Sequence, residues 1–113
     1  MPTYAEITAD LLKDAAAFFK TLAEQNEAIR TDMKSNAAIY ERMADTITNT
    51  PTGKAPNGDS FGVLAARLLR DTAVFYRKIG SQNAPIQEQM ETNAGIYEQI
   101  AAAVSQDPLG ILD

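Results

Sequence analysis

The chain of 113 residues has no cysteine, no histidine and no tryptophan. Without cysteine there is no disulfide framework, no thiolate nucleophile and no zinc-ribbon pattern. Without histidine or cysteine, the usual transition-metal ligands and the usual base near neutral pH are missing. No Ser/His or Cys/His pair, phosphate-cradling glycine loop or nucleophile elbow occurs, and "GKAPNG" at residues 53–58 lacks the P-loop spacing. Di-iron bundles need inward-facing Glu residues and Glu-x-x-His motifs. The only Glu shared by the two halves of this chain, Glu41 and Glu98, falls outside the centre of its helical stripe. The expectation is a protein that is not an enzyme and uses no metal or cofactor.

Clustered positive charge is also scarce. The formal net charge is −5, and both halves are acidic, at −2 for residues 1–56 and −3 for residues 57–113. Phosphate-backbone binders draw their affinity from dense Lys and Arg, so nucleic acid is not an expected partner. The longest purely apolar run, Ala15 to Phe19, is far too short to span a bilayer, and Met1-Pro2-Thr3 does not open a signal peptide. No membrane insertion and a cytoplasmic location are expected. Hydrophobic residues make up 45% of the chain, too many for a disordered one, and the length suits one domain, residues 1–113.

What the chain does have is a duplication. A shift of fifty-seven residues lays Leu11-Leu12 on Leu68-Leu69, Asp14 on Asp71 and Phe18 on Phe75. It continues with Gln25-Asn26 on Gln82-Asn83, Ile29 on Ile86, Met33 on Met90, and "NAAIYE" at Asn36 on "NAGIYE" at Asn93. Pro51 and Gly53 fall on Pro108 and Gly110. The identity runs without a gap, so the chain is two copies of one unit, about 4–53 and about 61–110, joined across a linker at about 49–60.

Within the unit, Ile7, Leu11, Ala15, Phe18 and Leu22 recur at helical spacing, with Leu12 and Phe19 widening the stripe. Ile29, Met33, Tyr40, Ala44 and Ile47 form a second stripe. In the second copy the join reads "KIGSQNAPI", where Gly80 suits a helix C-terminus, Ser81 or Asn83 suits a cap, and Pro85 is tolerated in a first turn. The first copy lacks the Gly and the Pro, so its break is inferred from the repeat, with one continuous bent helix as the alternative. The linker "TNTPTGKAPNGDS" has loop chemistry, and Asp59 or Ser60 can cap the helix that follows. Neither hairpin can bury its own stripe, but two can bury each other's. The expected fold is an all-α antiparallel four-helix bundle of two tandem αα-hairpin repeats with internal pseudo-twofold symmetry.

One feature of the repeat is chemically unusual. With Ile29 at zero on a helical wheel, Asn36 falls at about 340°, inside the apolar face, with Tyr40 one turn on. A buried carboxamide left unpaired costs about 1–3 kcal/mol, so Asn36 and Asn93 need partners. Tyr40 and Tyr97 are the nearest, and Asp14 and Asp71 are the other repeated polar candidates. Such a network either sets helix register, as single buried Asn residues do in coiled coils, or lines a ligand pocket. On the third expected helix, Arg67 and Arg70 belong to the densest basic group, and Val63 and Val74 form a weak second apolar strip where another subunit can dock. The functional expectation is a small interaction protein, an adaptor or regulator that binds a protein partner or itself as a homodimer. The alternative is a small-molecule-binding bundle that uses the Asn/Tyr site.

Overall fold

In the computed structural model, which describes residues 2–112, the first helix begins at a capping box. The Thr3 side chain accepts the Glu6 backbone N–H at 3.1 Å, while the Glu6 carboxylate accepts the Thr3 N–H at 3.1 Å. Helix α1 then runs Tyr4–Gln25, and helix α2 runs Arg30–Asn49. Helix α3, capped by the Ser60 hydroxyl on Val63 N–H, runs Phe61–Gln82, and helix α4 runs Gln87–Gln106. These four α-helices, with no strand among the described residues, form an all-α four-helix bundle. No helix among those residues is long and apolar enough to cross a membrane.

The helices of each hairpin are separate, not one bent rod. Asn26 and Asn83 leave helical geometry at φ −144° and −139°, and a 3-10 turn follows each, at Glu27–Ile29 and Ala84–Ile86. In the first copy the Asn26 side chain accepts the Ala28 N–H at 3.1 Å, which ends one helix and starts the next without Gly or Pro. In the second copy the Asn83 amide donates instead to the Ile79 carbonyl at 2.9 Å. Gly80 does not end its helix, contrary to the sequence expectation. It lies buried inside α3, where an added Cβ would come within 3.0 Å of Met90 Cβ. The glycine therefore serves close packing against α4 rather than termination.

The segment between α2 and α3 turns at Gly58, whose φ of +94° is left-handed backbone that favours glycine. It is held by Ala55 N–H on Asp59 O at 2.8 Å and by an isolated bridge between Lys54 and Ser60. Phe61 N–H donates to Gly53 O at 2.9 Å. At the far end of the chain Tyr4 N–H donates to Gly110 O at 2.8 Å, beside a bridge between Thr3 and Ile111. The tail after α4 thus docks on the start of α1 through the same bonds by which the linker docks on the start of α3.

Packing is most extensive within each hairpin, α1 with α2 and α3 with α4. Across the hairpins α1 meets both α3 and α4, and α2 meets α3, while α2 and α4 do not meet. At the centre, Phe18 contacts Phe75 and Tyr76 edge-on at ring separations of 6.3 and 5.5 Å, and Phe19 contacts Phe75 at 5.6 Å. Edge-on pairs of this kind satisfy the ring quadrupoles.

The deepest faces are not the ones with the largest residues. On α1 they carry Ala5, Ala9, Leu12, Ala15, Ala16, Phe19 and Ala23, with Ile7, Leu11, Phe18 and Leu22 only half-buried around them. On α3 the buried set includes Gly62, Ala65, Ala66, Leu69, Ala73 and Tyr76. Short side chains let helix axes approach closely, so the alanine face takes the centre and the bulky residues fill the seams. Leu12 and Leu69, both fully buried, each contribute about 1.5–3 kcal/mol through the water-to-core transfer of their side chains.

Candidate functional site

Tyr40 and Tyr97 bridge the hairpins. Tyr40, on α2, donates its hydroxyl to the Leu68 carbonyl of α3 at 2.9 Å. Tyr97, on α4, donates to the Leu11 carbonyl of α1 at 2.8 Å. The two acceptors are themselves a repeat pair. The second partner differs between the copies. Tyr40 accepts the Thr72 hydroxyl at 2.9 Å, whereas Tyr97 sits 3.5 Å from the Tyr76 hydroxyl. The first copy has Ala15 and Phe19 where the second has Thr72 and Tyr76.

All three tyrosines are at most 6% exposed, and burial pushes each phenol above its ordinary value. The Thr72 hydrogen bond works against that rise at Tyr40, and the negative charge of Asp71 adds to it. At Tyr76 the bond to Tyr97 lowers the value and the charge of Asp14 raises it; at Tyr97 the bond to Tyr76 reinforces the effect of burial.

Asn36 and Asn93 do not join these bonds. Both are half-buried, and neither side chain has a hydrogen-bond partner among the described residues. This departs from the expectation of a buried Asn-Tyr pair, and the cause is helix placement. The buried residues of α2 are Ala37, Tyr40, Ala44 and Ile47, a face centred at about 40° on the wheel. Asn36 therefore lies at its edge, and Ile39, further round, is 50% exposed. The neighbouring helix of the other hairpin, α3 beside Asn36 and α1 beside Asn93, stands off from that edge and covers it only in part.

The partly covered edges form two clefts. Asn36, Tyr40 and Ile39 of α2 face Leu68, Asp71 and Phe75 of α3 across a cleft of about 260 Å³, with Phe19 and Met33 completing its wall. Asn93, Ile96 and Tyr97 of α4 face Leu11 and Asp14 of α1 across a second cleft of about 180 Å³, closed by Tyr76. Each Asp-Asn-Tyr set is thus brought together, with the Asp supplied by the other hairpin. Asp14 and Asp71 are exposed, and neither makes an ion pair among the described residues. Each cleft therefore presents one carboxylate and one carboxamide between apolar walls, with no cation in its lining.

The other candidate face is less organised. Val63, Arg67, Arg70 and Val74 share one side of α3, but Arg67 is drawn to Asp59 of the linker at 3.2 Å. Val74 is 64% exposed and Val63 half-buried. Glu41 and Glu98 lie at the surface in ion pairs, with Lys20 at 2.7 Å and with Arg77 at 2.6 Å. Hydrogen bonds from Arg77 hold the Glu98 carboxyl below its usual range.

Sequence reasoning passed over one structural oddity. The Thr8 hydroxyl is fully buried with no hydrogen-bond partner among the described residues, where the second copy has Ala65. The departure from the repeat was its only signal. No protein-family model matches this chain, and no curated protein or solved structure does so either.

Proposed function

We propose that the protein is a non-enzymatic helical interaction module whose two clefts receive apolar and cationic side chains from an amphipathic, basic segment of a partner protein. The observation that carries this reading is the composition of the cleft lips. Ile39 and Ile96, repeat equivalents, are 50% and 44% exposed beside the unpaired carboxylates Asp71 and Asp14. Apolar contact supplies affinity, and charge complementarity selects the partner and speeds encounter. The volumes, about 260 and 180 Å³, suit single side chains. They fall below the ~300–1,000 Å³ typical of small-molecule sites, which favours a partner's side chains over a free ligand. A second reading, self-association into a homodimer through the α3 face of Val63, Arg67, Arg70 and Val74, is favoured by the exposure of Val74.

The test uses a fluorescent Leu/Lys amphipathic helical peptide, with a scrambled peptide of the same composition as control. Saturable binding of the amphipathic peptide alone is expected, weakened at least tenfold by Asp14→Asn with Asp71→Asn and by Asn36→Leu with Asn93→Leu. Circular dichroism should show the helical fold unchanged in both double variants. Binding that survives both would refute the cleft. A dimer in native mass spectrometry that Arg67→Glu with Arg70→Glu dissociates would move the interface to α3.

A further inference from the structure

A third open space lies elsewhere, in the groove between α1 and α2 of the first hairpin. It has a volume of about 580 Å³ and is lined by Lys20, Glu24, Arg30, Lys34, Ala38 and Glu41. Three cations therefore stand against two carboxylates in a protein that is acidic as a whole. Arg30 is anchored through Nε on the Ala23 carbonyl at 3.0 Å. That bond leaves its two terminal nitrogens without partners among the described residues, and Lys34 has none there either. Lys20 is held by Glu41 alone, at 2.7 Å.

The duplication provides an internal comparison. Fifty-seven residues on, the matching positions are Arg77, Ser81, Gln87, Glu91, Gly95 and Glu98. There Arg77 bonds Glu98 at 2.6 and 2.8 Å and Glu91 at 3.2 Å, so one cation is bracketed by two carboxylates. The first copy has Lys34 in place of Glu91 and Arg30 in place of Gln87. With Glu24 in place of Ser81 counted as well, the groove changes from a net charge of −1 in the second copy to +1 in the first. A surface need for solvation does not require a cation where the twin has a carboxylate.

We propose that the α1/α2 groove of the first hairpin binds a small molecule bearing a phosphate or carboxylate group, held by Arg30 and Lys34. An anchored guanidinium presents a planar fork that matches either oxyanion with two parallel hydrogen bonds. Lys34 adds a mobile ammonium, and an incoming oxyanion can compete with Glu41 for Lys20. The volume falls within the range of small-molecule sites. Local positive charge on an acidic protein focuses anions into this one groove.

The experiment is an amide-resolved NMR titration of the full chain at low ionic strength, with inorganic phosphate and, separately, with citrate. Expected are saturable shifts confined to residues 20–24 and 30–41, with none at 77–98. Whichever anion saturates at lower concentration identifies the preferred oxyanion. Lys34→Glu, which copies the second hairpin, should weaken binding at least tenfold. The reverse exchange, Gln87→Arg with Glu91→Lys, should create new saturable shifts around Arg77. Shifts that never saturate with either anion, or that are equal in the two hairpins, would overturn the proposal. So would unchanged binding in Lys34→Glu.

Discussion

Alkaline pH is the perturbation that tests the core most directly. Tyr40, Tyr76 and Tyr97 are each 4–6% exposed, and burial raises each above the ordinary phenol value of 10.0. A phenol that ionises only in the unfolded chain gives full stabilisation below about pH 10 and loses it as pH rises. Each such group removes about 1.4 kcal/mol per pH unit above that point. All three shifts have the same sign, so their losses add as pH rises past that point. A typical domain has only about 5–15 kcal/mol of stability, so the expected outcome is cooperative unfolding on the alkaline side of the ordinary phenol range. The assay is tyrosinate absorbance recorded alongside far-ultraviolet circular dichroism. The two signals should rise and fall together, because the buried hydroxyls are reached only when the helices separate. Tyr40→Phe isolates the effect. It removes one of the three groups, so the loss of stability per pH unit should be smaller than in the parent protein. Its cost at neutral pH should be about 1 kcal/mol or less, because the Thr72 hydroxyl, released from Tyr40, can donate to the Leu68 carbonyl 2.9 Å away. Three tyrosines ionising near pH 10 with helicity intact would refute the reasoning.

Four further outcomes follow from particular contacts. Thr8→Val keeps the shape and deletes a buried hydroxyl that has no partner among the described residues, so thermal unfolding should shift upward, by about 1 kcal/mol or more of stability. Gly95→Ala meets no atom within 4 Å in the second cleft's helix, and should stabilise by about 0.5–1 kcal/mol in urea denaturation. Gly62→Ala should do the opposite by about 1–3 kcal/mol, since its Cβ would lie 2.5 Å from the Val104 backbone carbonyl. Leu12→Ala and Leu69→Ala, at the two fully buried repeat positions, should each cost about 2–5 kcal/mol in the same assay.

Much of this architecture was written in the residue pattern. Stripes at helical spacing, the loop chemistry of residues 48–60 and the gapless identity at fifty-seven residues gave four helices in two hairpins. These are local signals, set by periodicity, capping and backbone preference, and they need no knowledge of neighbours. The Asn26 break was legible only by analogy with its Pro-bearing twin, yet the Asn shared by both joins is where each helix ends.

The burial of each stripe edge is a different kind of question. A helical wheel shows which residues share a face, but the covered width depends on which other helices arrive and how close they come. Here the helices pack most extensively within each hairpin, α1 meets both α3 and α4, α2 meets α3, and α2 and α4 stay apart. That arrangement moved Asn36 and Asn93 from the core to the cleft edges and turned the Tyr40 and Tyr97 hydroxyls toward backbone carbonyls of the opposite hairpin. It also placed Asp71 beside Asn36 and Asp14 beside Asn93, pairings between residues far apart in the chain. Helices and their breaks depend on neighbours within a few turns, and the duplication is residue identity itself, so all three can be read along the chain. Which polar groups are buried, which are paired and which are left facing a cleft depends on how the assembled helices pack, because burial is a property of the assembly.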